Sequence, residues 1–280
     1  MRLALAQQAA SPDRNFNLQR ALGAMDRAKA AGADAIAFPE LVVDLFFPQR
    51  PDDPTAADCA EPIPGPTADA IAARARDLSL VTVFNMYESD DQGRRFDSSP
   101  VFDADGTLLG VTRMVHITDY ACFHEQQYYH PGDRGAPVYQ TQAGAIGVAI
   151  CYDRHYPEYM RALGVAGAEL VVIPQAGALD EWPEGLYEAE VRTAAFQNGY
   201  FAALCNRVGA EDRLTFAGES FIVNPHGQIV AQGKQLAEDL IVTDLDLGQC
   251  ATSPARTLFW RDRRPDLYPD WLGNPVFSSE

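Results

Sequence analysis

Lysine is almost missing from this chain. Of 280 residues only Lys29 and Lys234 carry an ammonium, and the remaining fixed cations are arginines. Acidic residues outnumber basic ones 39 to 22, a formal charge of −17. A surface of that sign repels phosphate backbones and anionic lipid, so nucleic acid and membrane are excluded as partners. No run approaches the ~18 uncharged apolar residues of a membrane helix. The opening MRLALAQQAASPD has too short an apolar stretch and no cleavage pattern, and reads as a strand rather than a leader. Cysteine is scarce too: residues 59, 122, 151, 205 and 250 are odd in number, scattered, and never spaced C-x-x-C. That argues against a disulfide framework and a zinc site, and for a reduced, cytoplasmic compartment.

What is present suits a buried α/β core: 47% of residues are hydrophobic, and the length fits one large unit or two small domains. Residues 2–7 read as a strand, 16–31 as a helix closed by Gly32, and 35–38 as a strand stopped by Pro39-Glu40. A proline-rich loop (48–66), a helix (67–77) and a strand (80–84) ending at Asn85 follow. The second half repeats this grammar, with a strand at 145–151, a helix at 157–166, a strand at 170–173 stopped by Pro174-Gln175, a helix at 184–197 and a strand at 200–204. AAGADAIAFPE (30–40) and GVAGAELVVIPQ (164–175) both run helix, Gly-Ala-acid, apolar strand, proline, polar residue. Matching order over several elements predicts an α/β fold with internal pseudo-twofold symmetry. Residues 98–118 and 218–246 read as hairpins turning at Asp103–Gly106 and Asn224–Gly227.

Within that frame GAIGVAICYDRHYPE (144–158) carries a thiol to the point where a buried strand gives way to a helix, with Pro157 suited to the helix's first turn. Glu40, Glu125 and Cys151 fall at strand ends or in loops. A thiol attacking an amide carbon needs a group that takes its proton, and the departing amine needs one back. A buried carboxyl of raised pKa can do both. From position alone Glu40 reads equally as that group or as a helix cap or salt-bridge partner, and an isolated strand cysteine more often packs a core. Trp182 and Tyr187, in the segment 175–192, either enclose a substrate or pack internally. Arg192 either meets a substrate carboxylate or pairs with Glu188 on its own helix.

FPE (38–40), TRMVH (112–116), FHEQQYYHPGD (123–133) and ICYDRHYPE (150–158), in this order and spacing, resemble the nitrilase superfamily of carbon–nitrogen hydrolases. The resemblance covers nearly the whole chain, including NGYFAALCNRVG (198–209) and FAGESFIVNPHG (216–227). It implies a single domain over 1–280 with a four-layer α-β-β-α sandwich, and a C-terminal tail (255–280) at the interface of a homodimer or larger assembly. It further implies Cys151 as nucleophile, Glu40 as general base, Glu125 as a supporting acid and the Tyr152 backbone N–H as an oxyanion donor, with no cofactor or metal. The segment 175–227 looks closest to the branch acting on small amides or N-carbamoyl amines, with nitriles as a less favoured substrate class. One departure stands out. The family's Arg-Lys-x-His block is Arg113-Met114-Val115-His116 here, and a thioether neither donates a hydrogen bond nor carries charge. His116, charged beside Glu40 and Glu125, or a bound water is the expected substitute, and a weakened or ligand-binding homologue is the alternative. A glutamine amidotransferase with a nucleophile elbow is disfavoured, because the flanking glycine positions hold Ala149 and Asp153.

Overall fold

The two apolar runs with the shared Gly-Ala-acid lead-in become equivalent strands of two different sheets. In a computed structural model, whose described residues are 1–272, the strands are numbered in chain order. The first sheet runs β15 (Asp239–Asp244), β1 (Arg2–Gln7), β2 (Ala35–Ala37), β3 (Val81–Val83), β5 (Arg95–Phe102), β4 (Met86–Ser89), with β6 (Leu108–Arg113) also on β5. The second runs β14 (Ile229–Gln232), β13 (Phe221–Val223), β10 (Phe201–Asn206), β9 (Leu170–Gln175), β8 (Gly144–Val148), β7 (Val138–Thr141). Each sheet has a parallel centre, β1-β2-β3 in one and β8-β9-β10 in the other. Each centre is flanked by antiparallel neighbours. This is the pseudo-twofold repeat expected from the sequence.

Parallel neighbours need crossovers, and four helices supply them: α1 (Arg14–Ala30), α2 (Pro66–Leu78), α3 (Pro157–Val165) and α4 (Leu186–Asn198). Asp13 caps α1 by accepting from the Phe16 N–H, and prolines open α2 and α3 where a missing N–H costs nothing. Strand alternation then sorts the side chains into layers. Leu3, Leu5, Ala35, Ala37 and Val83 meet Ile146, Val148, Leu170, Val172 and Ala203 between the sheets. The opposite faces bury Ile36 and Phe38 against Leu22, Met25 and Ile71, and Val171 and Ile173 against Leu163 and Val191. The result is a helix-sheet-sheet-helix sandwich.

Two expectations need correction. The segment 218–246 is not one hairpin: β13 and β14 pair around the Asn224–Gly227 turn, but β15 leaves for the first sheet and pairs antiparallel with β1 over its full length. The 98–118 hairpin also ends early, because its second strand, β6, stops at Arg113. The ribbon β11 (Val208–Glu211) and β12 (Leu214–Ala217) and the strands β4 and β7 lacked a clear sequence signal. The start of the tail packs on its own chain, with the Trp260 indole N–H donating to the Gln197 carbonyl (3.4 Å) and the Arg256 guanidinium 4.0 Å from the Trp260 ring centroid. Leu258 and Phe259 remain exposed. Residues 273–280 of the expected interface tail lie outside the described residues.

Arg207 fixes the segment after β2. Buried between the sheets' ends, it donates to the carbonyls of Glu40 (2.8 Å), Leu41 (2.6 Å) and Asp44 (2.9 Å) and pairs with Glu211. Removing it strands three carbonyls and one carboxylate. Arg207→Ala is expected to lower unfolding free energy by about 3–5 kcal/mol in denaturant titration, whereas Val165→Ala, exposed at the end of α3, changes it by less than about 0.5 kcal/mol.

Candidate active site

The strands end where the site begins. The turn after β2 delivers Glu40, the one after β6 delivers Met114, and the one after β8 delivers Cys151. Glu125 arrives on a short 3-10 turn, Glu125–Gln127. Ligating atoms of Glu40, Glu125 and Cys151 all lie within 4.8 Å of one another, and all three residues are buried. Cys151 and Leu41, the residue after Glu40, both adopt left-handed backbone (φ +43° and +47°). Non-glycine residues rarely do so without surrounding structure holding them there.

At Cys151 that holding structure is visible. Arg154 donates to the Cys151 carbonyl (3.0 Å) and to the Gln175 side-chain oxygen (2.9 Å), and the Gln175 amide nitrogen lies 3.1 Å from the Cys151 sulfur. Arg154 also pairs with Glu190 (3.3 Å), and its guanidinium lies 4.4 Å from the Tyr187 ring centroid. Neither Gln175 nor Arg154 stood out as a site residue in the sequence. The signal was present for Gln175, which is the repeat-mate of Glu40 in the FPE and IPQ strand ends.

Burial dominates the electrostatics. It pushes the Glu40 carboxyl well above the usual range, and the charges of Asp97 and Glu125 add to the push. Glu125 is raised for the same reasons, burial first and Asp97 next. The Cys151 thiol is pushed up by burial and then by Glu40 and Glu125, with Arg154 pulling the other way. A resting thiol with a carboxyl beside it, rather than a standing thiolate, is the state this favours. Asp97, a third residue the sequence did not point to, is lifted to about 6, mainly by burial. Glu40 is neither a helix cap nor a salt-bridge partner: no conventional hydrogen bond reaches either of its oxygens, although the thiol faces it.

His116 is not beside the glutamates. Its Nδ1 lies 2.7 Å from the buried Asp153 carboxylate, and its ring stacks on Tyr156 at 3.5 Å. Asp153 also accepts the Val115 and His116 backbone N–H groups, which ties the block after β6 to the turn after Cys151. Met114 is fully buried in the inter-sheet core, and Arg113 is buried against Glu88 (2.6 Å) and Asp133 (2.9 Å). Arg192 sits on the exposed face of α4 and donates to the Gly227 carbonyl (2.8 Å), so it meets neither Glu188 nor the site.

Tyr187 and Trp182 flank the site without touching the sulfur. The hydroxyls of Tyr187 and Tyr120 both donate to Glu181 (2.5 Å each). Trp182 meets Tyr120 (6.0 Å) and His155 (5.4 Å) edge-on, and Tyr152 stands 6.4 Å from Tyr120. Trp182, Tyr187 and Asn206 also line an adjoining cavity of about 380 Å³ that includes neither Cys151 nor the two glutamates. Its rim carries Asp180, Glu184, Glu188 and Glu219 and no basic side chain.

The raised carboxyls make stability depend on pH. Asp97 titrates near 4 when unfolded and at about 6 when folded, so the folded state holds the extra proton in between. Its contribution is complete below pH about 4 and is lost as pH rises through about 6. Thermal melts of the parent and Asp97→Asn should therefore diverge across this window, the parent losing more Tm as pH rises.

A family model described as carbon-nitrogen hydrolase matches residues 2–255. An N-carbamoylputrescine amidase of Arabidopsis thaliana is 32% identical over 275 residues, covering 94% of this chain and 92% of that one. A solved carbon-nitrogen hydrolase from Helicobacter pylori G27 superposes with a TM-score of 0.90 at 28% identity, over 97% of this chain and 98% of that chain. A mutant amidase from Nesterenkonia sp. AN1, showing acrylamide added to its active-site cysteine, superposes with a TM-score of 0.82 at 27% identity, over 97% and 99%. A match of this extent, on a fold and a strand-end cluster already built from the residues, makes the chain a member of the carbon-nitrogen hydrolase family.

Proposed function

We propose that the protein is a thiol amidohydrolase that cleaves a small linear amide or N-carbamoyl amine through a cysteine thioester. The observation that carries this reading is the convergence of Cys151, Glu40 and Glu125 within 4.8 Å, all three buried. As the sulfur attacks the carbonyl carbon, its proton passes to Glu40. The tetrahedral oxyanion is met by the Tyr152 backbone N–H, at the start of the turn that Arg154 and Gln175 hold. Glu40 then protonates the departing nitrogen as the C–N bond breaks. A water deprotonated by Glu40 opens the thioester and returns the thiol. Glu125 keeps Glu40 in its proton-accepting range by proximity.

The branch is that of N-carbamoyl amines, and the favoured substrate carries an ammonium remote from the scissile bond. The rings of Tyr120, Tyr152 and Trp182 gather beside Glu181, aromatic faces attract a cation, Glu181 offers charge, and the neighbouring rim is acidic. The relatives named as N-carbamoylputrescine amidases fit that choice. The exposed Leu258 and Phe259 beside α4 support a homodimer through the tail face.

Ammonia release across carbamoylated amines, carbamoylated amino acids, aliphatic amides and nitriles tests the reading, with Cys151→Ala as the blank. A kcat/KM for N-carbamoylputrescine at least about tenfold above that for N-carbamoyl-β-alanine is expected, a difference near 1.4 kcal/mol. Glu40→Gln should lower kcat by about 100-fold or more. No turnover of any class by the parent would leave a ligand-binding homologue instead.

A further inference from the structure

Gln175 closes β9 beside the turn that carries the nucleophile, and it is fully buried. Its backbone is fixed twice. It pairs with Asn206 across the parallel β9–β10 ladder, and its carbonyl accepts the Arg207 N–H (3.1 Å). One freedom remains, which way round the side-chain amide lies, and Arg154 removes it. A guanidinium only donates, so the Gln175 oxygen faces Arg154 Nη1 at 2.9 Å. The amide nitrogen is thereby turned to the Cys151 sulfur, 3.1 Å away. That nitrogen donates and does not accept, so the contact runs from N–H to sulfur.

The strength of such a bond depends on the charge of the sulfur. A neutral thiol or thioester is a weak acceptor, whereas a thiolate takes a charge-assisted bond roughly twice as strong as a neutral one. The cation behind the amide adds to this. By drawing density toward the Gln175 oxygen, Arg154 strengthens the N–H on the other side by about 10–30%. Arg154 is itself buried and held by the Cys151 carbonyl (3.0 Å) and Glu190 (3.3 Å), so the alignment is built before substrate arrives.

We propose that Gln175 is a catalytic residue whose amide N–H holds the charge that develops on the Cys151 sulfur, and that Arg154 is a positioning residue acting on the sulfur through that amide. The proposal rests on the reading of Cys151 as nucleophile and Glu40 as its base. As the thiol proton passes to Glu40, the N–H meets the electron pair left on sulfur, which then forms the C–S bond. In the thioester the sulfur is neutral and the bond from Gln175 is weak. Water gives a proton to Glu40 and its oxygen bonds to the carbonyl carbon. The C–S bond then breaks, its electron pair returns to sulfur, and the N–H holds that charge until Glu40 gives the proton back. The titratable and charged groups facing the sulfur are Glu40 from the turn after β2, Glu125 from its 3-10 turn and Arg154 from the nucleophile's own turn. Tyr187 of α4 covers Arg154, and its hydroxyl, like that of Tyr120, is given to Glu181. The Gln175 substitutions alter none of these.

The test reads the pH profile of Cys151 alkylation by iodoacetamide, mapped by mass spectrometry, beside kcat and KM on the best substrate of the screen. Gln175→Met keeps the length and removes the donor. Gln175→Glu keeps a partner for Arg154 but turns an acceptor to the sulfur. Melting temperatures confirm folding. Gln175→Met should move the alkylation midpoint up by about one to two pH units and lower kcat about 100-fold with KM within about twofold. Gln175→Glu should move the midpoint at least as far in the same direction. Arg154→Gln should raise it by about half a pH unit in the parent and leave it unmoved in Gln175→Met. A Gln175→Met profile superimposable on the parent's, or a midpoint that falls in either Gln175 variant, would overturn the proposal. So would equal Arg154→Gln shifts in both backgrounds, because the charge would then act through space and not through the amide. Profiles that shift as described in a protein without turnover keep this inference and remove the proposed function. Alkylation absent throughout removes both.

Discussion

Taking Glu40, Asp97, Glu125 and the Cys151 thiol out of water together disfavours every ionised form, and much of the surrounding structure answers to that constraint. With no ammonium among them, the groups can be neutral only by holding protons. This is why the base sits above the ordinary carboxylate range and why the nucleophile rests as a thiol. It also explains the geometry of the nearest cation. Arg154 is spent on the Cys151 carbonyl, on Gln175 and on Glu190, and it steadies the turn rather than neutralising the acids.

The pseudo-twofold repeat reaches into the chemistry. The two equivalent strand ends, Phe38-Pro39-Glu40 and Ile173-Pro174-Gln175, aim an acid and its amide analogue at one sulfur. The strained turns at Leu41 and Cys151 are each braced by a buried arginine, Arg207 and Arg154, and both arginines come from the second copy. One copy of the repeat supplies the group that exchanges protons, and the other supplies a fixed hydrogen bond.

The sequence was legible where local pattern and fold agree. Apolar triplets flanked by Gly-Ala-acid and proline gave the parallel strands, and proline and glycine gave the helix ends. It was illegible where a residue's partner lies far along the chain. His116 reads as a spare cation near the acids, yet its partner is Asp153, 37 residues on, and the aromatic stack with Tyr156 fixes it there. Asp97 sits in a strand that looks ordinary, and only the hydrogen bond from Asn85 on the neighbouring part of the sheet marks it out. The ribbon at 208–217 and the path of β15 depend on packing that no short window contains.

That path has a bearing on biosynthesis. Because β15 supplies the antiparallel neighbour of β1, that six-residue strand, once synthesised, waits for residues 239–244 before its outer edge is covered. The nascent chain therefore carries an unpaired, apolar sheet edge while everything between the two strands is translated, a template for wrong pairing. Closure couples β1 to a strand more than 230 residues along the chain, so the sandwich locks late and as a whole rather than half by half.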